Sequence, residues 1–285
     1  MSDDKSISLV NLGELAKPVT LLIEKVSLAI GSVWEPGQIK RIARAKADAC
    51  LIEAKSEIEI TDLHRRAMTR FVEEEASRQT NMEEITKKAM SLLADESNPG
   101  NMEDDWVTNF YAKSRIVSND DMQRIWAQVL AGEANAPGSF SKRTVNLLGD
   151  LDKRDAYLFQ RLCGFGCVLG EFTLLVFDSQ AKIYTDLGIN FGSLSHLSSL
   201  GLIQFNWVTG FKRQLLPKNF TVSCSGQVLS LTMENEAENT LPVGTVFLTQ
   251  AGQELAQVVK APLVDGFYDY LKEQWKVHLS RDENA

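Results

Sequence analysis

"SLSHLSSLGLIQF" at residues 193–205 and "VFLTQAGQELAQVV" at residues 246–259 decide the fold expected for the C-terminal part of this sequence. The first stretch reads as a short helix that ends at Leu-Gly-Leu-Ile and runs into a strand. The second reads as a strand, a Leu-Thr-x-x-Gly turn and another helix. This order is typical of a winged helix, and Leu197 and Leu200 are predicted to face its core.

Winged helices often bind DNA, so the charge of the segment that would read the bases is informative. Residues 191–201 contain no lysine or arginine, although such side chains supply most contacts to base edges and phosphates. The nearest cations are Lys212, Arg213 and Lys218, where a wing would lie. Four basic residues between 189 and 260 are balanced by four acidic ones. We therefore favour a structural or protein-contacting unit over a DNA-binding one.

The bulk composition is that of a globular protein with enough apolar material for more than one core. Of the 285 residues, 44% are hydrophobic and 24% are charged, and the formal net charge is −8. Single cores usually stop growing near about 250–300 residues, so the length predicts roughly two domains. The acidic balance argues against a protein that coats nucleic acid.

The N-terminal part is predicted to be a helical oligomerisation region, residues 14–96, which follows a disordered tail at residues 1–13. Apolar residues recur at three- and four-residue intervals in "ELAKPVTLLIEKVSLAIGSVW", residues 14–34. A long helix rich in alanine and charged residues is predicted from about Gln38 to Ser77, and a further amphipathic helix begins at Asn81. Because the apolar stripe of the long helix is narrow, it needs a partner helix or a second copy of the chain.

A basic cluster lies within "KRIARAK", where Lys40, Arg41 and Arg44 share one side of the predicted helix. It could contact phosphates, or anionic lipid head groups if residues 14–46 lay on a membrane. We favour a solvated helix face that pairs with nearby acidic residues, since the polar side of the preceding helix is mixed in sign.

The central part, residues 102–168, is predicted to form a compact helical module. In "SNDDMQRIWAQVLAG" the N-cap is predicted at Ser118 and the end of the helix at Gly132. Ile125, Trp126 and Val129 lie on the apolar face of this helix and are predicted to be core residues.

The C-terminal part, residues 169–279, combines strands with helices. Segments rich in β-branched and aromatic residues alternate with turn residues, and "AKIYTDLGI" reads as a connection or a further strand. The fold class is therefore α+β: helical N-terminal and central regions are followed by a winged-helix-like unit with antiparallel strands.

The residues that usually carry chemistry are scattered. The three histidines lie in unlike contexts, and the four cysteines lack the paired spacing of a zinc site. We therefore predict no catalytic set, no metal and no cofactor, and lean towards a protein that is not an enzyme. Reduced, partly buried thiols and an acidic rather than basic start, "MSDDK", favour the cytoplasm.

The run "DDMQRIWAQVLAGEANAPGSFSKRTVNLLGDLDKRDAYLF" resembles a bacterial family known as a domain of unknown function. "EPGQIKRIARAKADA" and "SEIEITDLHRRA" are also similar to that family, so that the likeness spans most of residues 15–275. The central run is distantly similar to abortive-infection proteins of the alpha type, which implies a part in defence against phage.

These observations together predict a non-enzymatic, oligomeric interaction protein of the bacterial cytoplasm. Its partners would be a second copy of itself and an unidentified protein. The alternative is a winged-helix regulator that binds nucleic acid.

Overall fold

The computed structural model describes residues 17–30 and 62–279 of the chain. The chain divides into two compact units, Met1–Gly149 and Asp150–Ala285. The fold is α+β, as predicted: the described part of the first unit is helical, and antiparallel strands occur in the second. The predicted tail at 1–13 and the basic cluster of Lys40, Arg41 and Arg44 lie outside the described residues.

The first unit contains five helices in its described part. They are α1 (Lys17–Ile30), α2 (Asp62–Met90), α3 (Asp104–Ser114), α4 (Asp120–Asn135) and α5 (Lys142–Asp150), with a 3₁₀ turn at Pro99–Asn101. The second half of α2 packs against α4, and α1 packs against α3. These contacts place the core of the unit between the helices.

Helix α2 is continuous where the sequence predicted two helices, one ending near Ser77 and the next starting at Asn81. No glycine or proline interrupts the chain here. The Gln79 side chain donates a hydrogen bond to Glu83 one turn later (3.0 Å), and the Thr80 hydroxyl donates to the Ala76 carbonyl (2.9 Å). Both bonds lie along one helix, and the pairing of Gln79 with Glu83 at i and i+4 favours its continuation.

Helix α4 differs from its predicted limits at both ends. Its N-cap is Asn119 rather than Ser118, because the Asn119 side chain accepts a hydrogen bond from the Met122 amide at 3.2 Å. The helix continues past Gly132 to Asn135. A side chain at Gly132 would collide with the Phe140 ring, at 2.6 Å from a Cβ. Gly132 therefore provides room for the ring instead of ending the helix.

Aromatic rings fill the core of the first unit. Trp126 has no exposed surface and meets the edge of Phe110 at a centroid distance of 5.1 Å. The Trp106 indole nitrogen donates a hydrogen bond to the Phe140 carbonyl at 2.6 Å. The buried Glu133 carboxylate accepts hydrogen bonds from the amides of Gly138 and Phe140. Burial raises the pKa of Glu133, and the amide hydrogen bonds oppose that rise.

The second unit begins with α6 and alternates strands with short helices. Its elements are α6 (Lys153–Cys163), β1 (Gly166–Leu169), β2 (Glu171–Leu174), α7 (Lys182–Thr185), α8 (Phe191–Ser199), β3 (Ile203–Phe205), β4 (Phe211–Leu216), β5 (Asn219–Cys224), β6 (Gln227–Thr232), β7 (Asn239–Gly244), β8 (Val246–Leu248), α9 (Gln250–Ala256), α10 (Phe267–Gln274) and a 3₁₀ turn at Lys276–His278.

The strands form one sheet of four strands and two strand pairs, all antiparallel. The four-stranded sheet has the order β2-β1-β5-β6, while β3 pairs with β8 and β4 pairs with β7. Buried side chains of the strands, helices and connecting segments form the core of the unit: Phe165, Tyr184, Leu194, Leu197, Leu202, Val222, Leu229, Leu241, Leu271 and Trp275.

The segment "AKIYTDLGI", expected to be a connection or a strand, forms the single helical turn α7. Its Tyr184 is fully buried and donates its hydroxyl hydrogen to the Leu175 carbonyl at 2.9 Å. Strand β1 lies within the glycine-rich stretch "GFGCVLG", residues 164–170. Gly166 lies inside β1, beneath the Phe172 ring, whereas Gly170 makes the hairpin turn with φ +73°. The structure of both segments depends on tertiary packing, which the local sequence pattern does not show.

The two stretches quoted first lie side by side. Strand β3 pairs with β8, with Ile203 opposite Leu248. Thr249 caps α9 by accepting from the Gly252 amide, and its hydroxyl donates to the Gly201 carbonyl at 2.6 Å. The predicted helix, strands and second helix are thus present and in contact, whereas the winged-helix arrangement of the whole unit stays a prediction.

Candidate interaction surfaces

The wing cations predicted from the sequence lie on or next to β4. Arg213 forms an ion pair with Glu171, and Lys218 forms one with Glu236 at 2.6 Å. Lys212 is exposed on β4. The next residue along the strand is Arg213, which is paired with Glu171. Two of the three candidate phosphate contacts are thus engaged with acidic side chains.

Helix α8, the predicted recognition helix, is held to the unit by its apolar face and by one polar pair. Leu197 is fully buried, and Leu200 just beyond the helix is half-buried. On the outer side, His196 Nε2 lies 2.7 Å from Asp155 Oδ1. Asp155 also accepts from the Asp152 amide in the capping box that starts α6. The pair therefore connects two helices and anchors α8.

The predicted core residues of the central helix lie on its inner side. Trp126 and Val129 have no exposed surface, and Ile125 is half-buried. The Trp126 indole nitrogen is buried without a hydrogen-bond partner. These residues therefore pack α4 into the core of the unit. Trp126 and Val129 are too buried to form a contact surface for another molecule.

The first turns of α2 leave an apolar stripe in solvent. Every residue from 62 to 71 is exposed, whereas the buried residues of this helix begin at Asn81. Leu63, Ala67 and Phe71 are four residues apart, which places them on one side of the helix, with Met68 beside them. Leu63 is 66% exposed and Phe71 59% exposed. About 28 Å of helix, from residue 62 to 81, thus carries unburied apolar side chains.

The same helix segment has opposite charges at its two ends. Arg65, Arg66 and Arg70 make its start basic, and Glu73, Glu74 and Glu75 make the following turn acidic. Ion pairs within the helix join Arg65 to Asp62 and Arg70 to Glu74. Exposed pairs of this kind contribute only about 0.2–1 kcal/mol, so they leave the charges able to contact another molecule.

A second apolar surface lies at the turn after β3 and is called the aromatic turn (Phe191, Phe205, Trp207 and Val208). Trp207 is 65% exposed, and its ring meets that of Phe191 at 6.0 Å. The Asn206 side chain accepts from the amides of Val208 and Thr209, which fixes the turn. Residues 187–211 contain no lysine, arginine, aspartate or glutamate. An ordered, uncharged aromatic surface of this kind is typical of a contact site.

Helix α6 presents a shallow groove that sequence reasoning missed. Its lining consists of Lys153, Arg154, Tyr157, Gln160 and Arg161, with Pro262, and it encloses about 780 Å³. The spacing of the cations, at 153, 154 and 161 with tyrosine between them, places them on one helix side. The sequence "DKRDAYLFQRLC" contains that spacing.

The cysteines correct an expectation. Cys167 and Cys224, predicted to be reduced, form a disulfide across 57 residues of sequence. Strands β1 and β5 pair at Val168 and Ser223, so the two cysteines lie next to each other in the sheet. Their proximity depends on a strand pairing that sequence spacing does not show. Cys163 is a free thiol, and burial raises its pKa to about 12.

Two searches of the described residues bear on metals and membranes. No group of three or more histidine, cysteine, aspartate or glutamate side chains there is arranged to hold a metal ion. Within the same residues, no helix is both long and apolar enough to span a membrane.

The fold and these surfaces define a two-unit α+β protein that exposes an apolar helix face, an aromatic turn and a basic groove. The chain belongs to the family described as "Protein of unknown function (DUF2806)", which matches residues 65–272. The predicted membership in a family of unknown function is thereby confirmed. Comparison with curated proteins and with solved structures gave no match.

Proposed function

We propose that this chain is a non-enzymatic interaction protein that associates with a second copy of itself through the first turns of α2. The observation that carries the proposal is the exposed stripe of Leu63, Ala67 and Phe71. A helix segment that buries none of its apolar side chains gains little from tertiary packing and is marginal alone. Pairing with an identical segment buries the stripe of both copies.

The charges of α2 favour an antiparallel pair. In that orientation the basic start of one copy lies beside the acidic turn of the other, and the reverse contact forms at the opposite end. With Arg65 and Arg66 facing Glu73–Glu75, Phe71 of each copy lies beside Met68 of the other. A parallel pair would instead place like charges together, which costs free energy.

Replacing Leu63 and Phe71 together by aspartate should convert the dimer into a monomer at micromolar concentration. The substitution places two carboxylates of each copy in the apolar contact, where removing them from water costs free energy. Light scattering after size-exclusion chromatography gives the mass directly.

The matched control is Ile116→Asp, because Ile116 is 67% exposed in the same unit but lies outside α2. We expect Ile116→Asp to keep the wild-type mass. Equal effects of the two variants, or a double variant that still dimerises, would show that the contact lies elsewhere on the chain.

We propose that the second unit binds the protein partner. We infer a winged-helix-like arrangement, supported by the order α8, β3, β8, α9 and by the pairing of β3 with β8. The aromatic turn beside α8 supports a protein partner, because residues 187–211 contain no lysine or arginine that could contact a phosphate. The proposal for this unit is a protein contact.

The proposed setting is the bacterial cytoplasm and, from the resemblance to abortive-infection proteins, defence against phage. Disulfides are rare in the cytosol, so this setting implies that the bond between Cys167 and Cys224 forms after the protein leaves the cell. Both thiols should then be trapped in the reduced state when cells are lysed in an alkylating agent. A pair found oxidised under those conditions would exclude this location. A defence role would require that cells without the gene give more plaques than cells with it.

A further inference from the structure

The groove on α6 combines positive charge with an exposed aromatic ring. Arg154 and Arg161 lie seven residues apart, about 10 Å along the helix axis, and Tyr157 lies between them. The Tyr157 ring is 43% exposed, and the Lys153 ammonium lies 5.4 Å from its centroid. Cations therefore stand on both sides of a ring whose surface is open to solvent.

The two arginines are available for a ligand. Both are exposed, and within the described residues neither forms an ion pair with a carboxylate. This distinguishes them from the wing cations Arg213 and Lys218, which are paired with Glu171 and Glu236. A guanidinium without a partner is the side chain best suited to a phosphate, because its donors match the phosphate oxygens.

The floor of the groove holds apolar and polar contacts that suit a base. Gln160 donates a hydrogen bond to the Lys260 carbonyl at 2.7 Å, which fixes its amide and leaves the amide oxygen as an acceptor. Pro262 also lines the groove.

The distance between the two arginines and the exposed ring of Tyr157 favour one kind of anionic ligand over others. Each nucleotide of a strand carries one phosphate charge, so cations about 10 Å apart along α6 contact different phosphates of one strand. A free mononucleotide would reach only one of these positions. A duplex keeps its bases stacked inside, whereas an unpaired base can stack on the tyrosine.

We propose that the groove of Lys153, Arg154, Tyr157 and Arg161 binds single-stranded nucleic acid, with phosphates on the two arginines and a base on Tyr157. The residues of this site lie on α6, and none of them belongs to the helix or the wing that the sequence indicated. It does not depend on self-association through α2.

The test is a fluorescence-anisotropy titration of a labelled single-stranded oligothymidylate with the full chain, between about 50 and 200 mM salt. Arg154→Ala with Arg161→Ala should weaken binding by at least about tenfold at the lower salt. It should also reduce the salt slope of log affinity by about 1.4, from about 0.7 for each lost phosphate contact. Tyr157→Leu should weaken binding about tenfold and leave that slope unchanged, since stacking releases no counterions.

The matched control removes the same number of positive charges from the same unit: Lys212→Ala with Arg213→Ala. It should bind like wild type, and circular dichroism should show that all variants are folded. Equal losses in the control and in the groove variant would overturn the assignment. So would binding of duplex or polyglutamate as tight as that of the single strand, binding of mononucleotide alone, or no binding by wild type.

Discussion

Replacing Trp126 with alanine should lower the free energy of unfolding of the first unit by about 3–5 kcal/mol. Trp126 is fully buried and contacts the Phe110 ring edge-on at 5.1 Å, so truncation leaves a cavity among helices and removes an aromatic pair. For a unit of this size the melting temperature should fall by about 10 °C. Thermal and urea unfolding followed by circular dichroism measure both quantities.

The control for this substitution is Trp126→Phe. The indole nitrogen of Trp126 has no hydrogen-bond partner, so phenylalanine removes an unpaired polar group and keeps most of the ring. We expect it to cost about 1.5 kcal/mol or less. If Trp126→Ala unfolds at the wild-type temperature, the apolar face of α4 does not carry the core described here.

Reducing or removing the disulfide between Cys167 and Cys224 should destabilise the second unit by about 4 kcal/mol. The bond closes a loop of 57 residues, and the entropy that such a closure removes from the unfolded chain corresponds to this value. Double substitution by alanine, or dithiothreitol added to wild type, should shift the unfolding midpoint of this unit to lower urea concentration. Dithiothreitol should cause no further shift of the midpoint in the double alanine variant.

Cys163→Ala is the matched control, since it removes a buried sulfur of the same unit that forms no disulfide. Dithiothreitol should lower the unfolding midpoint of the Cys163→Ala variant as much as it lowers that of the wild type. In denaturant without reductant, alkylation of the purified oxidised protein should label two of the four cysteines. Labelling of all four, together with a midpoint that dithiothreitol does not move, would show that the bond is absent.

Helix positions followed from local chemistry where caps and periodicity agreed. Asp152 caps α6, since its side chain accepts from the amides of Arg154 and Asp155 close by in the sequence. The apolar spacing around Trp126 likewise placed the core side of α4. In both cases residues within one helix determine the result, so the sequence pattern alone is sufficient.

Two errors came from packing and pairing that the local sequence pattern does not show. Gly132 was predicted to end α4, but the Phe140 ring packs on it. The cysteines were predicted to be reduced, but a strand pairing places Cys167 against Cys224. Neither contact leaves a local signal, because each depends on how separate elements meet.

The candidate sites likewise include features that the sequence shows and features that only the fold shows. The exposure of Leu63 and Phe71 agrees with the narrow stripe that suggested self-association, although residues 31–61 lie outside the described chain. The wing cations were visible in the sequence, whereas the carboxylates that pair with Arg213 and Lys218 were not. The groove on α6 could have been found from the spacing of its cations, but its opening at Pro262 required the fold.

Self-association through α2 is tested most directly by sedimentation equilibrium of the wild-type protein at micromolar concentration. We predict a mass of twice the chain mass of 31.7 kDa, and a dimer that weakens in high salt because the antiparallel contact pairs opposite charges. A mass of 31.7 kDa across the concentration range would contradict the proposal.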